Sequence, residues 1–363
     1  MQTLSDKNPS RIAWPDYARG IAILLVVFRH LLDGLKRAGL ETSAYHNIDQ
    51  LNIAFSGCRI PVFFIVSGFF AARALQKKST SAFIRERAGV ILYPYLLWGS
   101  IQIFCQLLFP QWVNAKRSVT DFSYLFYNPG KIDQFWYLYA LFNVAALYAI
   151  ARKLFSWGPL LQLAFGVVLF GMQAWLGQFA VAGFLSDVMY YYLFFAIGAF
   201  VAENRADLFS RTGSAEALLI LFVIFVVQLG FYQLSITGDI NDFISDHPFY
   251  FLLITLSGAA LMISFSSLIA EKRFLPFLAS LGRYSLYIYL WHVFFVAGTR
   301  IVLVNLMHIQ NAHILVIAGF VTGIICPIVL YRLAKKAGCF WLYRASSVNE
   351  VAKRSAVVQF ANV

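Results

Sequence analysis

Ten apolar segments, each close to the length of a bilayer-crossing helix, constrain this chain more than any other feature. They run at about 17–35, 55–75, 89–109, 135–150 and 160–176, then 188–202, 215–234, 249–269, 281–302 and 314–333. A helix rises 1.5 Å per residue, so about 20 apolar residues span a hydrocarbon core some 30 Å thick. Inside lipid, backbone donors and acceptors must be paired within the segment, which predicts helices. The expected fold is therefore all-α, a polytopic bundle of about ten membrane helices. Composition agrees: 60% of residues are hydrophobic and only 13% charged, against about 25% charged in soluble domains. The 36 Phe, 19 Tyr and 8 Trp suit a chain that meets lipid and two interfaces.

A net charge of +12 raises the question of nucleic acid, but the basic residues lie between the apolar runs rather than in one patch. That distribution is a topology signal. With the N-terminus in the cytoplasm, 21 of the 29 basic residues fall on inner segments and the C-terminal tail. The eight exceptions are Arg29, Lys36, Arg37, Arg59, Lys116, Arg117, Lys131 and Arg300. Both termini are expected in the cytoplasm. The polar start, Met1–Pro15, argues against a cleavable signal peptide, with 20–32 as the first permanent span. Cys58, Cys105, Cys326 and Cys339 form no CxxC pair, and no metal or phosphate-loop motif occurs. No resident cofactor is expected.

The first span is unusual for the ionisable residues it carries. Arg19 and His30 are eleven residues apart; at 100° per residue they return to within about 20° of one face, about 16 Å apart along the axis. Asp33, three residues on, is placed to orient the His30 imidazole, and Asp16 to reach Arg19. Bland readings stand beside these: Arg19 as a snorkelling interfacial arginine, and Arg29 with Asp33 as a purely structural i,i+4 pair. His30 is harder to dismiss, because ionisable groups within spans are costly and usually face a polar interior.

The stretch from Asp16 through Arg19 to Arg29-His30 resembles the first-helix signature of the acyltransferase 3 family, an Arg (or Lys), ten residues, then a His. Three further stretches resemble the family in order along the chain. They are Arg59-Ile60-Pro61-Val62-Phe63-Phe64-Ile65-Val66-Ser67-Gly68-Phe69, Phe135-Trp136-Tyr137-Leu138, and Gly282-Arg283-Tyr284-Ser285-Leu286-Tyr287-Ile288-Tyr289-Leu290-Trp291-His292. Many members carry two arginines three residues apart before the third helix, where this chain reads Arg85-Glu86-Arg87.

The resemblance implies ten membrane helices in a bacterial cytoplasmic (inner) membrane, with an acyltransferase 3-like domain over 1–345 and a cytoplasmic tail over 346–363. It implies O-acyl transfer, most simply of acetyl, from acyl-CoA to a hydroxyl of an exported or surface polysaccharide. The expected partners are the acyl-CoA, the glycan and lipid, with polysaccharide-assembly machinery as a possible further one. A sugar hydroxyl needs a base and His30 is the candidate, with Arg19, Asp33 and His292 completing the catalytic set. Arg19, Arg85 and Arg87 are candidates for the CoA phosphates, since guanidinium pairs well with phosphate. The positive-inside rule explains Arg85 and Arg87 equally well. Arg59, Ser67, Trp136, Ser285 and Tyr289 are candidates for the acceptor. Against these stand a packing role for His292 and a helix-packing role for Ser67-Gly68. Two other functions fit ten spans: a transporter of glycan or lipid-linked sugar using the buried Arg, His and Asp, and a non-catalytic member of an assembly complex.

Overall fold

The computed structural model describes residues 12–176, 183–204, 214–235 and 246–345. The tail 346–363 and Lys7, Arg11, Arg205 and Arg211, all counted among the inner basic residues, lie outside the described residues. Every one of the ten apolar segments falls on a helix, and no strand occurs among the described residues. In chain order these are α1 (Trp14–Arg37), α2 (Ser56–Lys77), α3 (Thr80–Leu108), α4 (Trp136–Lys153), α5 (Pro159–Leu176), α6 (Gly183–Asn204), α7 (Ala215–Ser235), α8 (Pro248–Glu271), α9 (Pro276–Leu306) and α10 (Ala312–Lys336). Eight helices are long and apolar enough to cross a membrane; α4 counts among them as part of Asp133–Lys153. The others are α7, which is wholly apolar along its middle, and α1, which has the length but carries the charges. The protein is a multi-pass helical bundle.

The end of α1 follows ordinary helix rules. Pro15 sits in its first turn with Asp16, and Lys36 and Arg37 close its last turn, where positive charge complements exposed carbonyls. Within α3 and α9 the regular spacing is interrupted by one wider turn each, at Ala88–Leu92 and Val302–Leu306.

Two helix pairs form the most extensive packing, α1 with α9 and α2 with α6. Glycine makes both possible. A Cβ on Gly282 would collide with the carbonyl of Asp16, and one on Gly20 with the carbonyl of Leu278. Gly68 and Gly198 play the same part between α2 and α6, against the carbonyls of Phe195 and Ile65. In lipid, where apolar side chains gain little by leaving their solvent, close backbone approach of this kind drives helix association.

The α1–α9 contact has a direct consequence for chemistry. His30 lies ten residues beyond Gly20, and His292 ten residues beyond Gly282. The two helices run in the same direction from this contact, so equal offsets, each about 15 Å, raise both histidines to one level. The connection from α3 to α4 is no plain loop. Its short turns, among them Val119–Ser123, Tyr124–Tyr127, Pro129–Lys131 and Asp133–Phe135, fold over that same end of the bundle.

Candidate active site

The His30 and His292 rings face each other, their centroids 5.1 Å apart and their planes 53° from parallel. His292 is fully buried, whereas His30 is half-buried and opens onto a cleft. The environment of His292 sets its tautomer. Its Nδ1 lies 2.8 Å from the Tyr289 carbonyl and 3.1 Å from that of Ile288. Carbonyl oxygens only accept, so Nδ1 carries a hydrogen and Nε2 of the neutral ring is a bare lone pair. That Nε2 is buried with no hydrogen-bond partner. An unpaired buried acceptor is costly, which favours a functional reading over the packing one.

The cleft beside His30 has a volume of about 440 Å³. Its walls come from the last turns of α1, the end of α3, the α3–α4 connection, the start of α4 and the later turns of α9, including Asp33, Arg37, Gln106, Asn114, Trp136 and Arg300. Trp136 offers an aromatic face against Tyr191, with centroids 5.5 Å apart. Pyranose rings commonly pack on such faces, apolar in body and polar at the edge. No cysteine lines the cleft, and no group of His, Cys, Asp or Glu suited to a metal occurs among the described residues.

Several expectations change on contact with the structure. Asp33 lines the cleft but does not orient His30: its carboxylate takes Arg29 at 2.9 Å, the i,i+4 pair. Geometry decides this, since a guanidinium one turn below reaches the carboxylate while the imidazole turns toward α9. Arg59 is occupied elsewhere, donating to the Asn52 side chain at 2.6 Å, while Asn52 donates to the Leu25 carbonyl. Ser67 is half-buried on α2, next in sequence to Gly68. Neither Arg59 nor Ser67 lines the cleft. Ser285 is buried two turns below His292, about 10 Å along the axis.

Tyr289 connects the two histidines to what lies beneath them. Its ring is 5.7 Å from His292 and 5.1 Å from Tyr137, and its hydroxyl donates to the main-chain carbonyl of Gln134. Tyr137 in turn lies within electrostatic reach of Arg19 and Arg87. Three rings, of His292, Tyr289 and Tyr137, thus stack in sequence from the histidine pair, and the cations sit toward the far end of the bundle. There Arg19 is held by Asp16 at 2.5 Å and by the Pro15 carbonyl at 3.3 Å, Arg87 lies over the Phe83 ring, and Arg85 is exposed.

The residues missing from the sequence reading are amides. Gln134 is fully buried at the cleft wall; its amide donates to Gln102 Oε1 at 2.8 Å, leaving Oε1 without a partner. Gln102 and Gln106 both donate to Asp133 Oδ2, at 2.9 and 3.2 Å, and Arg117 reaches the same oxygen at 2.7 Å. Asp133 has a φ of +45°, in the left-handed region that aspartate tolerates better than most residues. A signal was present in the sequence: Gln102 and Gln106 are one helical turn apart in an otherwise apolar span, where uncharged amides also need partners.

Fold and site together define a multi-pass membrane protein in which His30 opens onto a polar cleft with His292 buried beside it. The chain belongs to the acyltransferase 3 family, whose model, described as an acyltransferase domain, matches residues 12–332. Among characterised sequences it is similar to the nodulation protein NolL of Mesorhizobium japonicum, 29% identical over 129 residues, covering 35% of this chain and 32% of that protein. It is also similar to NolL of Sinorhizobium fredii, 26% identical over 151 residues, or 39% and 38% of the two chains. The chain spans about a third of the length of these relatives. No solved structure matches the chain.

Proposed function

We propose that this protein is an O-acyltransferase of the bacterial cytoplasmic membrane, moving an acyl group, most simply acetyl, from acyl-CoA to a hydroxyl of an exported or cell-surface polysaccharide. The observation that carries the reading is the His30–His292 pair, in which Nε2 of His292 is bare and buried and the neighbouring His30 ring opens onto a cleft. Family membership supports acyl transfer as the reaction class.

In this reading the acceptor hydroxyl lies in the cleft against Trp136 and loses its proton to His30 as its oxygen attacks the thioester carbonyl. The tetrahedral intermediate collapses, the C–S bond breaks, and CoA leaves as a thiolate that is reprotonated. His292 accepts a hydrogen bond or a proton from the first imidazole, so that positive charge is shared between two rings rather than held on one. Arg19 and Arg87, with Arg85 beside them, bind the CoA phosphates at the opposite end. The rise of about 16 Å from Arg19 to His30 is covered by the extended thioester arm rather than by the nucleotide. With the N-terminus inside, CoA binds on the cytoplasmic side and the cleft opens outward.

The test is release of free CoA by purified protein in lipid discs supplied with acetyl-CoA and polysaccharide. CoA release that depends on the acceptor, and that falls at least a hundredfold in a stably folded His30→Ala variant, supports the reading. Full turnover by that variant removes His30 from the chemistry. Movement of glycan across sealed vesicles with no CoA released would instead favour a transporter.

A further inference from the structure

The eight basic residues that break the positive-inside pattern are scattered in sequence from Arg29 to Arg300, yet most converge on one place. Arg37 and Arg300 line the His30 cleft directly. Arg29 and Arg117 hold its two carboxylates, Asp33 at 2.9 Å and Asp133 at 2.7 Å. Lys36 pairs with Asp49, which also lies 3.5 Å from Arg29, and Arg117 reaches a second carboxylate, Asp121, at 3.6 Å. The Lys131 carbonyl accepts from Arg117, and Lys116 adjoins Ala115 of the cleft wall. Positive charge on this face runs against the usual distribution, so something other than topology keeps it there.

The charges do not cancel. Around the cleft stand Asp33, Asp49, Asp121 and Asp133, each already paired. Against these four are Arg29, Lys36 and Arg117, which do the pairing, and then Arg37 and Arg300. Among the described residues, neither Arg37 nor Arg300 has a carboxylate within ion-pair distance. Arg300 spends one donor on the Trp112 carbonyl at 3.2 Å, which ties it to the α3–α4 connection, and Arg37 is exposed at the rim. The count leaves one positive charge in excess, and two guanidiniums with no carboxylate partner at one polar cleft form a binding feature for an anion, since guanidinium meets carboxylate or phosphate through two parallel hydrogen bonds.

We infer that the acceptor is an anionic saccharide, bearing a carboxylate or a phosphate near the hydroxyl that is acylated, and that Arg37 and Arg300 hold that anionic group while Trp136 receives the sugar. This rests on the acyl-transfer reading and narrows its substrate. The shared chemistry is the anion; a uronate within the glycan and a sugar phosphate are its two sources.

The experiment compares three oligosaccharide acceptors of matched length with the purified protein and acetyl-CoA: a neutral one, its uronic-acid counterpart, and its phosphate counterpart. Binding of fluorescent forms of each is measured in parallel, so that affinity is read apart from turnover. The expected result is a KM and a Kd about tenfold lower for an anionic acceptor than for the neutral one, an advantage that shrinks as salt is raised. Preference for the uronate over the phosphate, or the reverse, names the source. Arg300→Gln and Arg37→Gln bring the ratio of anionic to neutral KM toward one, whereas Arg300→Lys keeps most of it; a variant that had merely lost structure would weaken all acceptors alike. Equal KM and Kd for neutral and anionic acceptors in the unmodified protein overturn the inference while leaving acyl transfer standing. Tight binding of the anionic acceptors with no acyl transfer to any of them keeps the anion site and overturns the acyl-transfer reading beneath it.

Discussion

At the scale of single residues, the hydrogen bonds of His292 bear on two readings that the sequence left balanced. A packing histidine has both ring nitrogens satisfied or in apolar contact; here Nδ1–H is fixed by two carbonyls and Nε2 is left bare. Asparagine separates the alternatives, because its amide can take over the Nδ1–H bond to the backbone but has nothing at the Nε2 position. His292→Asn is expected to keep the protein folded, by thermal unfolding in detergent, while acyl transfer falls about a hundredfold or more. Retention of near-normal turnover would return His292 to a packing role. Toward the far end of the bundle, Arg19→Ala removes one charge-assisted contact to donor phosphate, worth about 1.5–3 kcal/mol. Its KM for acetyl-CoA should rise tenfold or more with little change in acceptor KM, measured by initial rates.

At the scale of elements, the α1–α9 pair is the device that builds the site. Each histidine is held at working height by a glycine contact about 15 Å below it, so the spacing of the rings depends on residues that touch no substrate. Gly282→Leu would drive a side chain into the Asp16 carbonyl, which backbone cannot yield cheaply. Such overpacking costs about 1–3 kcal/mol, and here it also moves one histidine from the other. The variant is expected to show a lowered unfolding temperature and a larger loss in kcat than its stability change accounts for. The α3–α4 connection plays a comparable part from above, carrying Asp133, Gln134 and Trp136 to the cleft and anchored there by Arg117 and by the Tyr289 hydroxyl.

At the scale of the whole molecule, the question is orientation. The cleft and the cluster of Arg19, Arg85 and Arg87 occupy opposite ends of the bundle, which gives the reaction a direction only if the termini lie inside. Single-cysteine labelling tests this. In a background with Cys58, Cys105, Cys326 and Cys339 replaced by serine, Lys116→Cys in intact cells should react with a membrane-impermeant maleimide. Lys335→Cys should react only after permeabilisation. The reverse pattern would place the cleft in the cytoplasm. The ten apolar runs, their helical state and the likeness to the acyltransferase 3 family were legible in the residues, because bilayer thickness and backbone hydrogen bonding leave so few alternatives. Arg19 and His30 on one face followed from helical spacing alone.

What the sequence could not decide were the partnerships that depend on three dimensions. It placed Asp33 beside His30, but the side chain turned to Arg29, since a helix puts several neighbours within reach and packing selects among them. It gave Arg59 and Ser67 the same standing as Trp136, although only Trp136 lines the cleft. It offered no reason to join Gln102 and Gln106 to Asp133 and Gln134, which are separated by an irregular connection whose path no periodicity encodes. Above all, it showed eight basic residues on the unexpected side as exceptions to a rule. Local patterning along one helix is set by a fixed rise and rotation per residue, and so can be read from the chain. The meeting of α1 with α9, and of Arg37 with Arg300, depends on which helices pack together, and only the tertiary structure brought two of those exceptions into the lining of one cleft and set Arg29 and Arg117 on its carboxylates.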